Sequence, residues 1–267
     1  MATPLALQLY TVRKALAADR AAALARAAEQ GFRAVEAFGI GNAQRDAADR
    51  LADARTFRAE LDANGLKVVA VHGSVSAGDE ADAVYDELEI LGTDRLIAAV
   101  PGAVAGVDSK AFASTGGLKL LAEGLNAAAA RAESRGVKVG YHNHDFEWQP
   151  VEGGTPAYDV LVSNLDPRVF LEVDVYWAHT AGQNPAAVIT SYAERVFTLH
   201  VKDGPGVRGQ LQTAVGEGSV DNAAAIAAGT NVGYHVIELD EAAGDPFDVA
   251  KAGGDWLVAH GHSTWAA

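Results

Sequence analysis

Four times along this chain a helix-like segment rich in Ala, Leu, Glu and Arg stops at a glycine, and within a few residues a short β-branched run begins. The breaks fall at Gly31, Gly65, Gly92 and Gly136, and the runs after them lead to Glu36, His72, Ile97 and His142. Glycine takes the left-handed conformation that closes a helix without a steric penalty, so the chain can turn directly into a strand. Helices alternating with short apolar strands give βαβ units and a parallel sheet. The pattern predicts eight strands, at 5–9, 34–38, 67–72, 95–100, 137–142, 169–174, 196–200 and 234–239. Helical segments fall near 18–30, 46–64, 79–91, 109–135, 155–164, 185–193, 221–229 and 246–260. Eight such pairs over 1–267 match one α/β domain, a single (β/α)8 TIM barrel, for which ~250 residues is typical. An open doubly wound sheet carries a glycine-rich phosphate loop after its first strand. Here that strand leads into Tyr10-Thr11-Val12-Arg13-Lys14, with no glycine.

The chain has no cysteine, which excludes disulfides, thiolate metal sites and cysteine nucleophiles. A formal net charge of −14 repels phosphate backbones and argues against a nucleic-acid partner. The N-terminal stretch through Tyr10 lacks a basic region and a long apolar run, and no segment resembles a membrane span, so a cytoplasmic protein without a membrane partner is expected. An Ala-rich helical exterior is compatible with a homo-oligomer.

In a barrel of this kind chemistry collects at the C-terminal ends of the strands. Read in order, those ends carry Gln8, Glu36, His72, His142-Asn143-His144, Asp174, His200 with Lys202-Asp203, and Glu238 with Asp240. The fourth strand, ending near Val100-Pro101, supplies nothing ionisable. A lone strand-end His is usually a structural hydrogen-bonding residue, and a lone Asp there is usually a helix cap. Convergence from seven of the eight predicted strands is different, because buried ionisable groups facing one another are costly unless a metal or substrate pairs with them. His142, Asp174, His200 and Glu238 lie on four consecutive strands and are the expected metal ligands. Two imidazoles and two carboxylates suit one divalent metal, manganese first, with cobalt, zinc or iron as alternatives ahead of magnesium. His179 is a further ligand or substrate contact.

These residues sit in stretches that resemble the xylose-isomerase-like barrel superfamily, in particular its sugar phosphate isomerase/epimerase and inosose dehydratase branch. The stretches are 7–13, 140–147 (Gly-Tyr-His-Asn-His-Asp-Phe-Glu), 172–177 with His179, 200–203 (His-Val-Lys-Asp), the Gly216-Glu217-Gly218 turn, and Ile237-Glu238-Leu239-Asp240. The resemblance implies a metal set of Glu, Asp, His and Glu, which carries over to Asp174, His200 and Glu238. At the fifth strand His142 stands where the epimerases of the family have a glutamate. That departure removes one of two opposed bases and resembles the dehydratase side of the superfamily.

The resemblance implies a metal-dependent sugar isomerase/epimerase acting on a small-molecule keto-sugar, cyclitol or glycoside through an enediolate, with a lyase as the alternative. Glu238 is the first choice of base and His144 the second. Lys202 is a candidate acid. Gln8, Glu36, His72, Asp203, Trp177 and His179 are expected at the substrate, with Phe38 and Trp148 as further apolar faces. Acidic residues at 217, 221, 240, 241 and 245 crowd the loops that would hold a phosphate, so a neutral substrate is favoured. Two readings stand further off: a DNA-repair nuclease, opposed by the acidic charge, and a non-catalytic sugar-binding barrel.

Overall fold

In the computed structural model, which describes residues 2–265, all four of those glycines lie at positive φ. Gly92 at +76° and Gly136 at +68° close helical segments by donating their N–H groups back to Glu89 and Glu133 carbonyls. The strands that follow assemble as expected. They are β1 (Thr3–Gln8), β2 (Ala34–Ile40), β3 (Lys67–Gly73), β4 (Arg95–Ala98), β5 (Lys138–His142), β6 (Phe170–Asp174), β7 (Val196–Val201) and β8 (Tyr234–Ile237). Each pairs in parallel with its sequence neighbour, and β8 pairs with β1, so the sheet closes into an eight-stranded barrel. A short ninth strand, β9 (Ser263–Thr264), was not expected from the sequence; it pairs with the start of β1 outside the ring. The expected domain extends over Met1, Ala266 and Ala267, which lie outside the described residues.

The helices are α1 (Arg13–Ala18), α2 (Arg20–Glu29), α3 (Ala47–Ala63), α4 (Ala81–Leu91), α5 (Thr115–Ala132), α6 (Ala157–Asn164), α7 (Val175–Thr180), α8 (Pro185–Ser191), α9 (Asn222–Ala228) and α10 (Pro246–Ala259). The first expected helix is α2, and a short α1 before it was not expected; Asp19 between them caps α2 by accepting from the Ala22 N–H. The segment expected over 109–135 opens instead with a 3-10 turn at Ala111–Ala113, and Ser114 then caps α5. Among the described residues no helix is long and apolar enough to cross a membrane.

Alternation of side chains along a strand places the site. Ala6, Ala34 and Val236 pack with Val69 as a small apolar patch. Two residues further along the same strand faces come Gln8, Glu36 and Glu238, all buried. The barrel interior therefore changes from apolar to ionisable within one layer of side chains. The larger core lies between the strands and the helices, with Leu5, Leu7, Val71, Tyr141, Leu171 and Val173 among its residues.

The wall beside that layer is held by a buried ion pair. Arg50 on α3 contacts Glu87 on α4 at 2.8 Å, with side-chain exposures of 8% and 4%, and Arg50 also donates to the carbonyls of Asn42 and Arg45 in the loop after β2. Removing one partner of such a pair strands the other. Glu87→Ala is expected to lower unfolding free energy by about 3 kcal/mol in denaturant titrations, and a loss below about 1 kcal/mol would show that the pair does not anchor this loop.

Candidate active site

At the top of the barrel the ionisable residues form two layers that share two imidazoles. In the outer layer, the nearest donor atoms of His142, Asp174, His200 and Glu238 all lie within 4.8 Å of one another. His200 Nδ1 is 2.7 Å from Glu238 Oε2, and His142 Nε2 is 3.9 Å from Asp174 Oδ2. In the inner layer, the opposite ring nitrogens face Glu36 and Glu172. His142 Nδ1 is 3.1 Å and His200 Nε2 3.0 Å from Glu172 Oε1, and His200 Nε2 is 2.7 Å from Glu36 Oε2. His72 completes this layer, 2.6 Å from Glu172 and 3.2 Å from Glu36.

Asp174 has two functions, one for each oxygen. Oδ1 accepts from the Trp177 N–H and caps α7, the short helix that begins immediately after β6. Oδ2 is buried and accepts no directed hydrogen bond, although the Lys202 ammonium lies 2.8 Å away. That ammonium also sits 2.7 Å from Glu238 and 2.9 Å from Asp240. Two buried carboxylates and two imidazoles suit a divalent transition metal, so the residues present fit such an ion.

Burial and charge act against each other here. Burial pushes the Lys202 pKa down, but Asp174, Asp240 and Glu238 outweigh it and hold the ammonium well above its ordinary value. Burial raises the Glu238 carboxyl, yet Lys202 and His200 bring it well below the usual range. Asp174 is raised to about 6 by burial, with Lys202 opposing. His200 and His72 lose to burial and gain more from the carboxylates: His72 rises to about 10 through Glu36 and Glu172, and His200 is raised well above its ordinary value. His142 moves well down, through burial first and the neighbouring His200 second.

A cleft of about 480 Å³ opens over the outer layer, within the range of small-molecule sites. Its polar floor includes His72, His142, His144, Glu238 and Asp240, and its apolar wall includes Tyr10, Phe38 and Ile40. Phe38 meets Tyr10 edge to face at 5.3 Å, which fixes one side of the opening. His144 stacks on Phe146 at 5.5 Å. Its backbone N–H donates to Glu147 Oε2 at 2.9 Å, and Tyr141 donates to the other oxygen, so a fully buried carboxyl pins this loop. Burial, then the Lys202 charge, lowers the His144 pKa to about 4, leaving a neutral ring whose Nδ1 has no partner.

Several residues expected at the substrate have other tasks. Gln8 and Glu36 are fully buried; Gln8 donates to Glu36 at 2.7 Å and accepts from the Tyr10 N–H. Asp203 accepts from the backbone N–H groups of Gly204, Gly216 and Val220, which ties the loop after β7 to the Gly216-Glu217-Gly218 turn. Gly218 has to be glycine, because a Cβ there would lie 2.1 Å from Asp203 Oδ1. His179 leaves the four-donor cluster and pairs with Ser219 at 3.1 Å in this loop. Trp148 is buried and stacks on Tyr158 at 4.8 Å, away from the cleft wall. Trp177 is largely buried, with Lys202 Nζ 5.8 Å from its ring centre. Glu172 and Glu147 received no role from the sequence. Glu172 was legible, since it is two residues before Asp174 and so shares its strand face.

Residues 24–260 match the family model for the xylose isomerase-like TIM barrel. The chain belongs to that family. A curated relative, an inosose dehydratase from Clostridium beijerinckii, is 37% identical over 86 residues, covering 32% of this chain and 28% of the relative's length. The whole of this chain superimposes on a sugar phosphate isomerase/epimerase from Parabacteroides distasonis, with a TM-score of 0.77 and 21% identity, over 96% of that chain. The IolI protein, solved with a binding zinc atom, gives 0.66 and 17% identity over 98% of this chain and 100% of that one. At these identities the two solved structures speak for the barrel alone.

If Asp203 is a loop anchor, Asp203→Ala leaves three backbone donors unpaired and is expected to cost about 3 kcal/mol in denaturant unfolding. An unchanged midpoint with weaker substrate binding would return Asp203 to the substrate.

Proposed function

We propose that this xylose isomerase-like barrel is a divalent-metal-dependent enzyme that removes the proton next to the carbonyl of a small polyhydroxylated ketone, in the manner of a sugar isomerase or epimerase. The observation that carries this reading is the outer donor set of two imidazoles and two carboxylates under the cleft. His142, Asp174, His200 and Glu238 would hold the ion, which supplies Lewis-acid polarisation of a carbonyl oxygen when bound. Manganese is the first ion to supply, with cobalt, zinc, iron and magnesium after it.

The acid–base roles follow from the residues' own surroundings. Glu238 contacts both His200 and Lys202 at 2.7 Å, which suits it to be a ligand more than a base. His144 lines the cleft as a neutral ring whose buried Nδ1 has no partner, and takes the role of base. Lys202 remains charged and can donate a hydrogen bond to a developing oxyanion or a departing hydroxyl. The backbone amides of Gly204 and Gly216 are held by Asp203, so the glycine-rich loops offer less to a phosphate, in keeping with a neutral keto-sugar, cyclitol or glycoside.

A second reading is elimination. His142 in place of a carboxylate leaves Glu238 without the second carboxylate of a two-base exchange, and the local similarity to inosose dehydratases points the same way. A proton that is removed and not returned to the other face fits loss of a β-hydroxyl or β-glycosyl group.

The metal-loaded protein, incubated in deuterated water with 3-keto-glucosides and inososes, is expected to place deuterium next to the carbonyl of one of them. His144→Ala is expected to slow that exchange about a hundredfold with metal content unchanged. A near-ultraviolet-absorbing unsaturated product would select the lyase. No exchange and no product with any ketone would contradict the enolising reading.

A further inference from the structure

His72, His142, His200 and Glu172 each bring a donor atom to the inner layer, and these four atoms lie within 4.8 Å of one another. Three imidazole nitrogens converge on one oxygen, Glu172 Oε1: His72 Nε2 at 2.6 Å, His200 Nε2 at 3.0 Å and His142 Nδ1 at 3.1 Å. The other oxygen, Oε2, accepts from Thr198 at 2.7 Å, which fixes the direction of the carboxylate. Glu36 Oε2 is 2.7 Å from His200 Nε2 and 3.2 Å from His72 Nε2, and Glu36 Oε1 is buried without a partner. His72 and His142 hydrogen-bond to Oε1 and fill its two lone pairs, while His200 Nε2 bonds to Glu36 and reaches Oε1 only as a close contact. Ligands at ~2.0–2.2 Å from one ion lie roughly 3 Å from each other, and the three nitrogens stand at about that distance from Glu172 Oε1.

We propose that the inner layer is a second divalent-ion position, with His72 Nε2, His142 Nδ1, His200 Nε2 and Glu172 Oε1 as its ligands and Glu36 beside them. Three nitrogens and one or two carboxylate oxygens select an ion such as zinc or cobalt over calcium or magnesium. One ion would balance the two carboxylates. The route in is the cleft, whose floor includes His72.

The inner and outer positions exclude one another. His142 and His200 present opposite nitrogens to the two layers, and a neutral imidazole has only one lone-pair nitrogen. An ion in one position therefore takes both rings from the other. This inference shares His142 and His200 with the proposed function but does not require the outer position to be the reactive one.

The test is titration of the metal-free protein with Co²⁺, read by calorimetry and by the visible spectrum, with folding checked by unfolding midpoint. The wild type and His72→Ala are each expected to bind one ion. Asp174→Asn/Glu238→Gln, which lacks the outer carboxylates, is expected still to bind one ion, with an altered spectrum. Adding His72→Ala, or His72→Asn should the alanine variant unfold, to that double variant is expected to abolish binding. A folded double variant that binds no Co²⁺ would overturn the inner position and leave the outer one standing. Undiminished binding after the third substitution would overturn it as well, by placing the ion elsewhere. Loss of binding in His72→Ala alone, with the double variant unaffected, would support the inner position and sink the outer reading.

Discussion

Glu36, Glu172, Asp174 and Glu238 are buried together at one end of the barrel, and charge buried without compensation costs several kcal/mol per group. Among the described residues, Lys202 is the single lysine or arginine paired with any of them, through Asp174 and Glu238. The balance has to come from imidazole protons or from a metal ion. Three histidines stand between the carboxylates, with His72 and His200 stacked at 5.4 Å and His142 4.6 Å from His200. Much of the rest of the structure serves to keep this arrangement in register. The pairing of Gln8 with Glu36, His142 with Glu172 and Asp174 with His200 across neighbouring strands brings residues far apart in sequence to one level.

The loops then turn that level into a cleft. Glu147 holds His144 over the floor, Asp203 gathers the loop after β7, and Arg50 with Glu87 holds the loop after β2. Each anchor is a buried ionisable group satisfied by hydrogen bonds or by one opposite charge. None of the three is a donor in the metal candidates. The same residue type therefore serves two purposes at short distance, and only the partner tells them apart: three backbone N–H groups for Asp203, one backbone N–H and the Lys202 ammonium for Asp174.

That distinction explains what could be read from sequence. The barrel was legible because Gly31, Gly65, Gly92 and Gly136 mark helix ends by a local steric rule, and the strands after them follow within a residue or two of the expected bounds. The donors His142, Asp174, His200 and Glu238 were legible as a set because strand ends of a closed barrel must face one another. Helix α7 was not, since Val175-Tyr176-Trp177 looks like a continuing strand and only the Asp174 cap turns it. The role of Asp203 was not legible either, as its partners lie up to 17 positions away in a turn whose docking no local pattern records. Trp148 shows the same limit from the apolar side: its partner is Tyr158 on α6, and an aromatic near a strand end carries no sign of which way it faces.

The central claim is that these strand ends hold a divalent metal through imidazole and carboxylate ligands. X-ray absorption of the Co²⁺-loaded protein tests it most directly, because imidazole rings add a characteristic outer-shell scattering that water and carboxylates lack. The account predicts a first shell of nitrogen and oxygen with scattering from at least two imidazoles. A shell of oxygen alone, without imidazole scattering, would contradict it.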